Sequence, residues 1–232
     1  MGDAELAAVS ASPQLGQLPE AARRALAAAA GERSGGRGDR LFHQGDPANH
    51  LFLVTAGRVK LTQVGPDGQE IIVRHIGPGE ILGGIALVEG AAYPVTGEVL
   101  EAAHLLAWPH AALLRLAEAH PRLALLTTGV IAARMHEVQE RFRELATQRV
   151  AQRLARALLR LVRQAGRRTA EGVEIDLPLS RQDLAEMTGT TLFTVSRTLS
   201  AWEAAGVVAV GREKVVVVHP HRLVEIAEDL ER

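Results

Sequence analysis

The segment from Ser180 to Ser200, SRQDLAEMTGTTLFTVSRTLS, carries the densest set of side chains able to recognise another molecule. Arg197 offers a planar fork of N–H donors that can bind the O6 and N7 edge of guanine in bidentate fashion. The hydroxyls of Thr191, Thr194 and Ser196 suit phosphate oxygens or base edges. Arg181 and Gln182, nine or more residues earlier, sit where a preceding helix would cross a phosphate backbone. This is the chemistry of binding. The chain shows no paired carboxylates, no Ser-His-Asp ordering and no phosphate-cradling glycine loop, so an enzyme is not expected. It has no cysteine, which removes disulfides, thiolate metal sites, cysteine-ligated iron–sulfur clusters and cysteine nucleophiles together.

Those side chains are useful only on a fixed scaffold, and the same segment supplies one. Ser180 can cap a helix, with Asp183 returning the bond in a short capping box. Leu184, Ala185 and Met187 are expected to face inward, with Ala185 small because a second helix passes close to it. Gly189 provides a turn residue able to take positive φ. Thr190 or Thr191 then starts a second helix whose Val195 and Leu199 pack back on the first. A small residue, a turn glycine and an inward Val, spaced four and then six apart, specify a helix-turn-helix with the second helix in the major groove. Beyond it, the apolar runs from Val207 and Val215, separated by Gly211, read as a two-stranded wing.

Upstream, Thr128, Ile131, Met135, Val138, Phe142 and Leu145 recur at intervals of three and four. Glu137, Glu140, Arg141, Arg143 and Glu144 flank this narrow seam, as expected of a long helix pairing with a second copy of itself. The helix from Val150 to about Gln164 repeats the stripe with Leu154, Leu158 and Leu161. From Arg40 to Trp108 the pattern is different. Short apolar runs are closed by Gly or Pro turns, including Ala56-Gly57 and Gly83-Gly84, which describes an antiparallel sandwich or barrel. A helix around Pro19 to Ala27 precedes it, broken by the Gly, Arg and Ser run of Gly31 to Gly38.

The expected organisation is therefore α+β. Residues 1–120 form an antiparallel β-roll, 121–146 a dimerisation helix and 147–232 a winged helix-turn-helix. At 232 residues the length allows two modest domains, and a hydrophobic fraction of 47% can fill their cores. The net charge of −1 does not advertise DNA, although a small basic face can coexist with a neutral total. The N-terminus lacks a secretory profile and no apolar run reaches membrane-spanning length, so a cytoplasmic protein with no membrane partner is expected. Nine histidines, among them His43, His50, His75, His104 and His136, show no metal-type spacing.

The stretches LFHQGD at Leu41–Asp46, LVTAGRV at Leu53–Val59, the Pro78-Gly79-Glu80 turn and TVSR at Thr194–Arg197 resemble the CRP/FNR family of transcription regulators. The resemblance spans about Leu41 to His219. It implies a cyclic-nucleotide-binding-like β-roll, a homodimer, a palindromic double-stranded DNA site and RNA polymerase as a partner. It also implies an effector pocket at Ile81, Leu82, Gly83, Gly84, Pro94 and Val95. Where the cyclic-AMP branch has Glu and then Arg-Ser, this chain has Gly84 and then Pro94-Val95, so no charge-assisted donor awaits a cyclic phosphate. Cyclic AMP is not the expected effector. Phe193 stands where both main branches usually carry Glu, exchanging a cytosine contact for an apolar one to a thymine methyl. The stretches Leu87–Thr96 and Thr190–Glu203 look most like the Dnr/NnrR branch, which implies nitric oxide as the signal and haem as a candidate cofactor with an unidentified ligand. The alternative is an effector-independent DNA binder with a vestigial pocket.

Overall fold

The computed structural model describes residues 2–66, 68 and 70–229, apart from the side chains of Thr127 and Arg134. The chain divides into two compact units, Met1–Glu137 and Val138–Arg232.

In the first unit, α1 (Asp3–Ala11) and α2 (Glu20–Ala29) precede the strands. The strands are β1 (Gly31–Gly35), β2 (Arg40–Phe42), β3 (His50–Val64), β4 (Glu70–Ile76), β5 (Ile81–Leu82) and β6 (Thr96–Pro109). Among the described residues they form one antiparallel sheet in the order β1-β6-β3-β4, with β2 added to β6 and β5 to β3. α3 (His110–Ala119) follows, and then the first part of α4 (Arg122–Thr147). The core is aliphatic, built on Leu53, Val59, Val99, Leu105 and Leu113, with Trp108 fully buried and its indole N–H donated to the Leu26 carbonyl at 2.8 Å. Each such side chain contributes roughly 1.5–3 kcal/mol through burial.

Two local expectations are corrected here. The Gly31–Gly38 run is not simply a break. Its first five residues are β1, paired in register with β6 from Gly31 opposite Ala107 to Gly35 opposite Ala103. Its polar side chains point to solvent, so a strand that exists through backbone pairing with β6 left no apolar alternation to detect. Nor is Ala56-Gly57 a turn between strands. β3 is continuous through it, and register shifts between Val54 and Val59 absorb the glycine as a bulge. Gly57 has φ +75°, and a Cβ there would lie 2.2 Å from the Ala102 carbonyl oxygen. Gly57→Ala should therefore cost roughly 2–4 kcal/mol. Gly38→Ala is the control, since Gly38 has φ +90° but open space around it, and it should cost only about 1 kcal/mol. Thermal unfolding of the two variants tests this; equal losses would mean that backbone conformation and not the Ala102 contact is limiting.

The second unit holds the end of α4, then α5 (Val150–Ala165), β7 (Gly166–Thr169), β8 (Gly172–Ile175), α6 (Arg181–Thr188), α7 (Leu192–Ala204), β9 (Val208–Gly211), β10 (Lys214–Val217) and α8 (Pro220–Ala227). Leu154, Leu158 and Leu161 put one face of α5 into a core shared with Leu184, Val195, Leu199, Val215 and Leu223. The β9–β10 hairpin is the expected wing, but it belongs to a four-stranded sheet, β7-β8-β10-β9. β7 and β8 lie in the polar Arg167–Glu174 segment, which reads from the sequence only as the end of a helix. Their ion pairs, Arg167 to Glu174 at 2.9 Å and Lys214 to Glu174 at 3.1 Å, explain why a charged hairpin suits this edge.

Candidate nucleic-acid interface

The helix-turn-helix closes through backbone chemistry. The Asp183 N–H donates to Ser180 Oγ at 3.0 Å and the Ser180 N–H to Asp183 Oδ2 at 2.7 Å, completing the capping box on α6. At the far end Gly189 adopts φ 60°, ψ 49° and receives α6 as its C-cap. The Thr190 N–H donates to the Ala185 carbonyl at 3.1 Å, which draws the turn tight. Of the two threonines that could start α7, Thr191 is the one that caps it, its Oγ1 accepting from the Thr194 N–H at 3.2 Å. Ala185, Leu184, Val195 and Leu199 are buried between the helices, while Met187 is only half-buried.

Burial of that inner face fixes the outer one. Arg197 is exposed on α7, as is Phe193, with 71% of its surface open to solvent. Such exposure of a large aromatic is unusual in a face without a partner. Thr194 and Ser196 are half-buried, and Thr191 shares a 3.0 Å hydroxyl contact with Thr194. The threonine hydroxyls thus hold the start of α7 together as well as facing outward. Arg181 is exposed at the first turn of α6. Gln182 is also exposed, but its side-chain amide donates to Glu186 Oε1 at 2.8 Å, which a phosphate would have to replace.

Arg153 on α5 is a residue that sequence reasoning missed. It donates to the Thr188 carbonyl at 3.0 Å and to the Gln148 carbonyl at 2.8 Å. A cation at the C-terminus of α6 satisfies an orphan carbonyl and opposes the helix dipole. In the sequence it is one arginine among many on an amphipathic helix, with no spacing signal. Leu145, the last residue of the α4 seam, also serves the turn: its Cδ2 lies 3.0 Å from where a Cβ on Gly189 would stand. The other seam residues, Ile131, Met135, Val138 and Phe142, are exposed on α4.

In the first unit, the residues expected to line an effector pocket are dispersed in character. Ile81 and Leu82 are buried in the core as β5, paired to Leu53 and Phe52 of β3. Gly83 has φ +75° and starts a short 3-10 turn, and a Cβ on Gly84 would meet nothing within 4 Å. Pro94 is exposed and Val95 half-buried. Beside them Tyr93 is stacked on Phe42 with ring centroids 3.9 Å apart, and its hydroxyl donates to the His50 carbonyl at 2.8 Å. Burial pushes the Tyr93 phenol up, partly offset by its hydrogen bonds to the backbone. Desolvation, and then the Arg33 guanidinium, hold the His50 imidazole below its ordinary value.

For a haem, the candidate histidines do not converge. His43, His104 and His136 are exposed. The more enclosed pair, His50 and His75, stand at the first residue of β3 and opposite Lys60 of the same strand, which separates them by roughly 30 Å at the usual strand rise. They cannot ligate one iron together. Among the described residues no group of three or more His, Cys, Asp or Glu could hold a metal ion, and no helix is long and apolar enough to cross a membrane.

Comparison with known proteins agrees with this geometry in both units. Residues 32–120 match the cyclic nucleotide-binding domain and residues 152–226 the Crp-like helix-turn-helix domain. The chain is 32% identical to the cyclic AMP receptor protein of Thermus thermophilus, covering 82% of this chain and 85% of that protein. It is 30% identical to the global nitrogen regulator of Synechocystis sp., covering 79% and 83% respectively. The structure of FixK2 from Bradyrhizobium japonicum shares the fold, with a TM-score of 0.75 at 24% identity over 85% of this chain and 96% of that one.

Proposed function

Because the chain belongs to the CRP/FNR family of DNA-binding transcription regulators, we propose that it works as a homodimer on a palindromic DNA site, with its N-terminal domain setting the affinity. The observation that carries this reading is the outer face of α7, where Arg197 and Phe193 stand exposed on a helix whose opposite face is buried. In the dimer the seam of α4 pairs with its copy, and an effector held by the β-roll shifts the population between two dimer geometries. The competent one sets the two α7 helices about 34 Å apart, one turn of the double helix. RNA polymerase is the further partner at a promoter.

Several relatives are named for cyclic AMP, yet the phosphate side of the corresponding site in this chain is Gly84, Pro94 and Val95, without a cation. The similarity to the Dnr/NnrR branch brings nitric oxide, through haem, into the set of signals. Selecting sites from a random duplex pool with the full-length protein tests the function directly. The enriched sequences should be inverted repeats, and adding cyclic AMP should leave the affinity for them unchanged. Enrichment of nothing above the input pool would refute the DNA-binding reading. A micromolar response to cyclic AMP would refute the reading of the pocket.

A further inference from the structure

Arg74 lies on β4 opposite Leu61, two pairs along from Ile76 opposite Val59, so its side chain emerges on the same face, one otherwise built from core aliphatics. Only 13% of that side chain is accessible. Its Nη2 donates to Glu80 in the turn before β5, and Glu80 is held in turn by the Gly77 N–H at 2.9 Å. Its Nε and Nη1 are buried without a hydrogen-bond partner among the described residues. The carboxylate facing Nη1 is Glu137 of α4, at 3.7 Å, too long for a hydrogen bond. A second arginine borders the same turn. Arg58 Nη1 lies 3.5 Å from where a Cβ on Gly77 would stand, and Arg58 reaches Glu101 only at 3.6 Å.

Buried guanidinium N–H groups without acceptors are costly, and native structures rarely leave them so. Among the described residues the two cations face three carboxylates, but Glu101 and Glu137 are 44% and 55% exposed, so water screens them and competes for them. Glu80 alone is built in. A planar or tetrahedral oxyanion is what a guanidinium fork with spare donors accepts best.

From this we infer that Arg74, with Arg58 beside it, is the receptor for a small oxyanion effector, a carboxylate or phosphate, which takes the place of Glu137 at the guanidinium. This deepens the function proposed above and rests on it for the word effector. Occupation of Arg74 frees Glu137 from its contact with β4, so binding and the setting of α4 are linked through one ion pair. The glycine and proline at the usual phosphate position and the arginine on β4 then describe one relocation of the anion-reading charge.

The test uses the full-length protein at constant ionic strength, titrated calorimetrically with succinate and with inorganic phosphate. The better binder of the two identifies the anion class. Arg74→Gln should weaken it at least tenfold, and Glu137→Gln, at a half-exposed position, should tighten it several-fold by removing the competing carboxylate. Bound anion should also shift the affinity for the selected DNA site. The inference is overturned if neither anion binds up to about 10 mM, where even a millimolar Kd would register. Wild-type affinity in Glu137→Gln would overturn it too, and that variant decides the matter should Arg74→Gln fail to fold. Binding that leaves DNA affinity unchanged removes the effector role. Failure of the wild-type protein to bind any DNA, with the anion still bound, would instead strike the proposed function and spare the site.

Discussion

The double variant Val138→Glu, Phe142→Glu should sediment as a monomer at concentrations where the parent protein is a dimer. Val138 and Phe142 expose 57% and 73% of their surface on α4, and they stand four residues apart on one helical face with Ile131, Met135 and Leu145 at the neighbouring seam positions. Covering each such side chain is worth roughly 1.5–3 kcal/mol. A two-fold interface presents each position twice, so the pair should contribute about 6–12 kcal/mol before any repulsion. Every 1.4 kcal/mol is about tenfold in the association constant, so a weakening of at least 10⁴-fold is expected, on the order of the lower bound of that sum. Because both residues are exposed within the single chain, circular dichroism should change little, and thermal unfolding should lose only the concentration-dependent stabilisation that dimerisation supplies. A monomer can occupy only one half-site, so DNA affinity should collapse along with the dimer. An unchanged dimer in the ultracentrifuge would place the interface on another surface.

The second large effect is expected in DNA specificity. Arg197→Ala should cost roughly 1–3 kcal/mol on the selected palindrome and much less on scrambled DNA, because a bidentate contact to guanine is lost. Arg181→Ala should behave differently. Arg181 lies in the first turn of α6, the helix that crosses the phosphate backbone in this motif. Its loss should weaken both DNAs alike and reduce the salt slope by about one counterion. Paired salt titrations on the two DNAs separate these outcomes. If Arg197→Ala weakened both DNAs equally, α7 would not be the helix that reads bases.

Much of this was legible in the residues because it depends on local rules. Ser180 with Asp183, Gly189, and Val195 with Leu199 define caps, a left-handed turn and an inner face within a span of twenty residues, and the structure realises each of them. The period of the α4 seam likewise follows from the chain alone. Met187, expected to face inward, is only half-buried, since its place depends on how closely two helices approach.

What the sequence could not determine depends on partners distant along the chain. β1 is a strand because β6, some seventy residues away, offers it backbone pairing, and no side-chain alternation records that. Gly57 reads as a turn until the carbonyl of Ala102 is seen beside it. Arg153 is an ordinary surface arginine until α6 ends beneath it. Arg74 is the clearest case. In the sequence it is one charged residue in an apolar strand, and a strand alone does not reveal which face its neighbours will bury. Only the closure of β4 against β3, the Gly77–Glu80 turn and α4 surrounds the guanidinium and leaves two of its nitrogens without acceptors among the described residues. The caps and the helical period are set by neighbours a few residues apart, whereas burial of a charge is set by the whole enclosure.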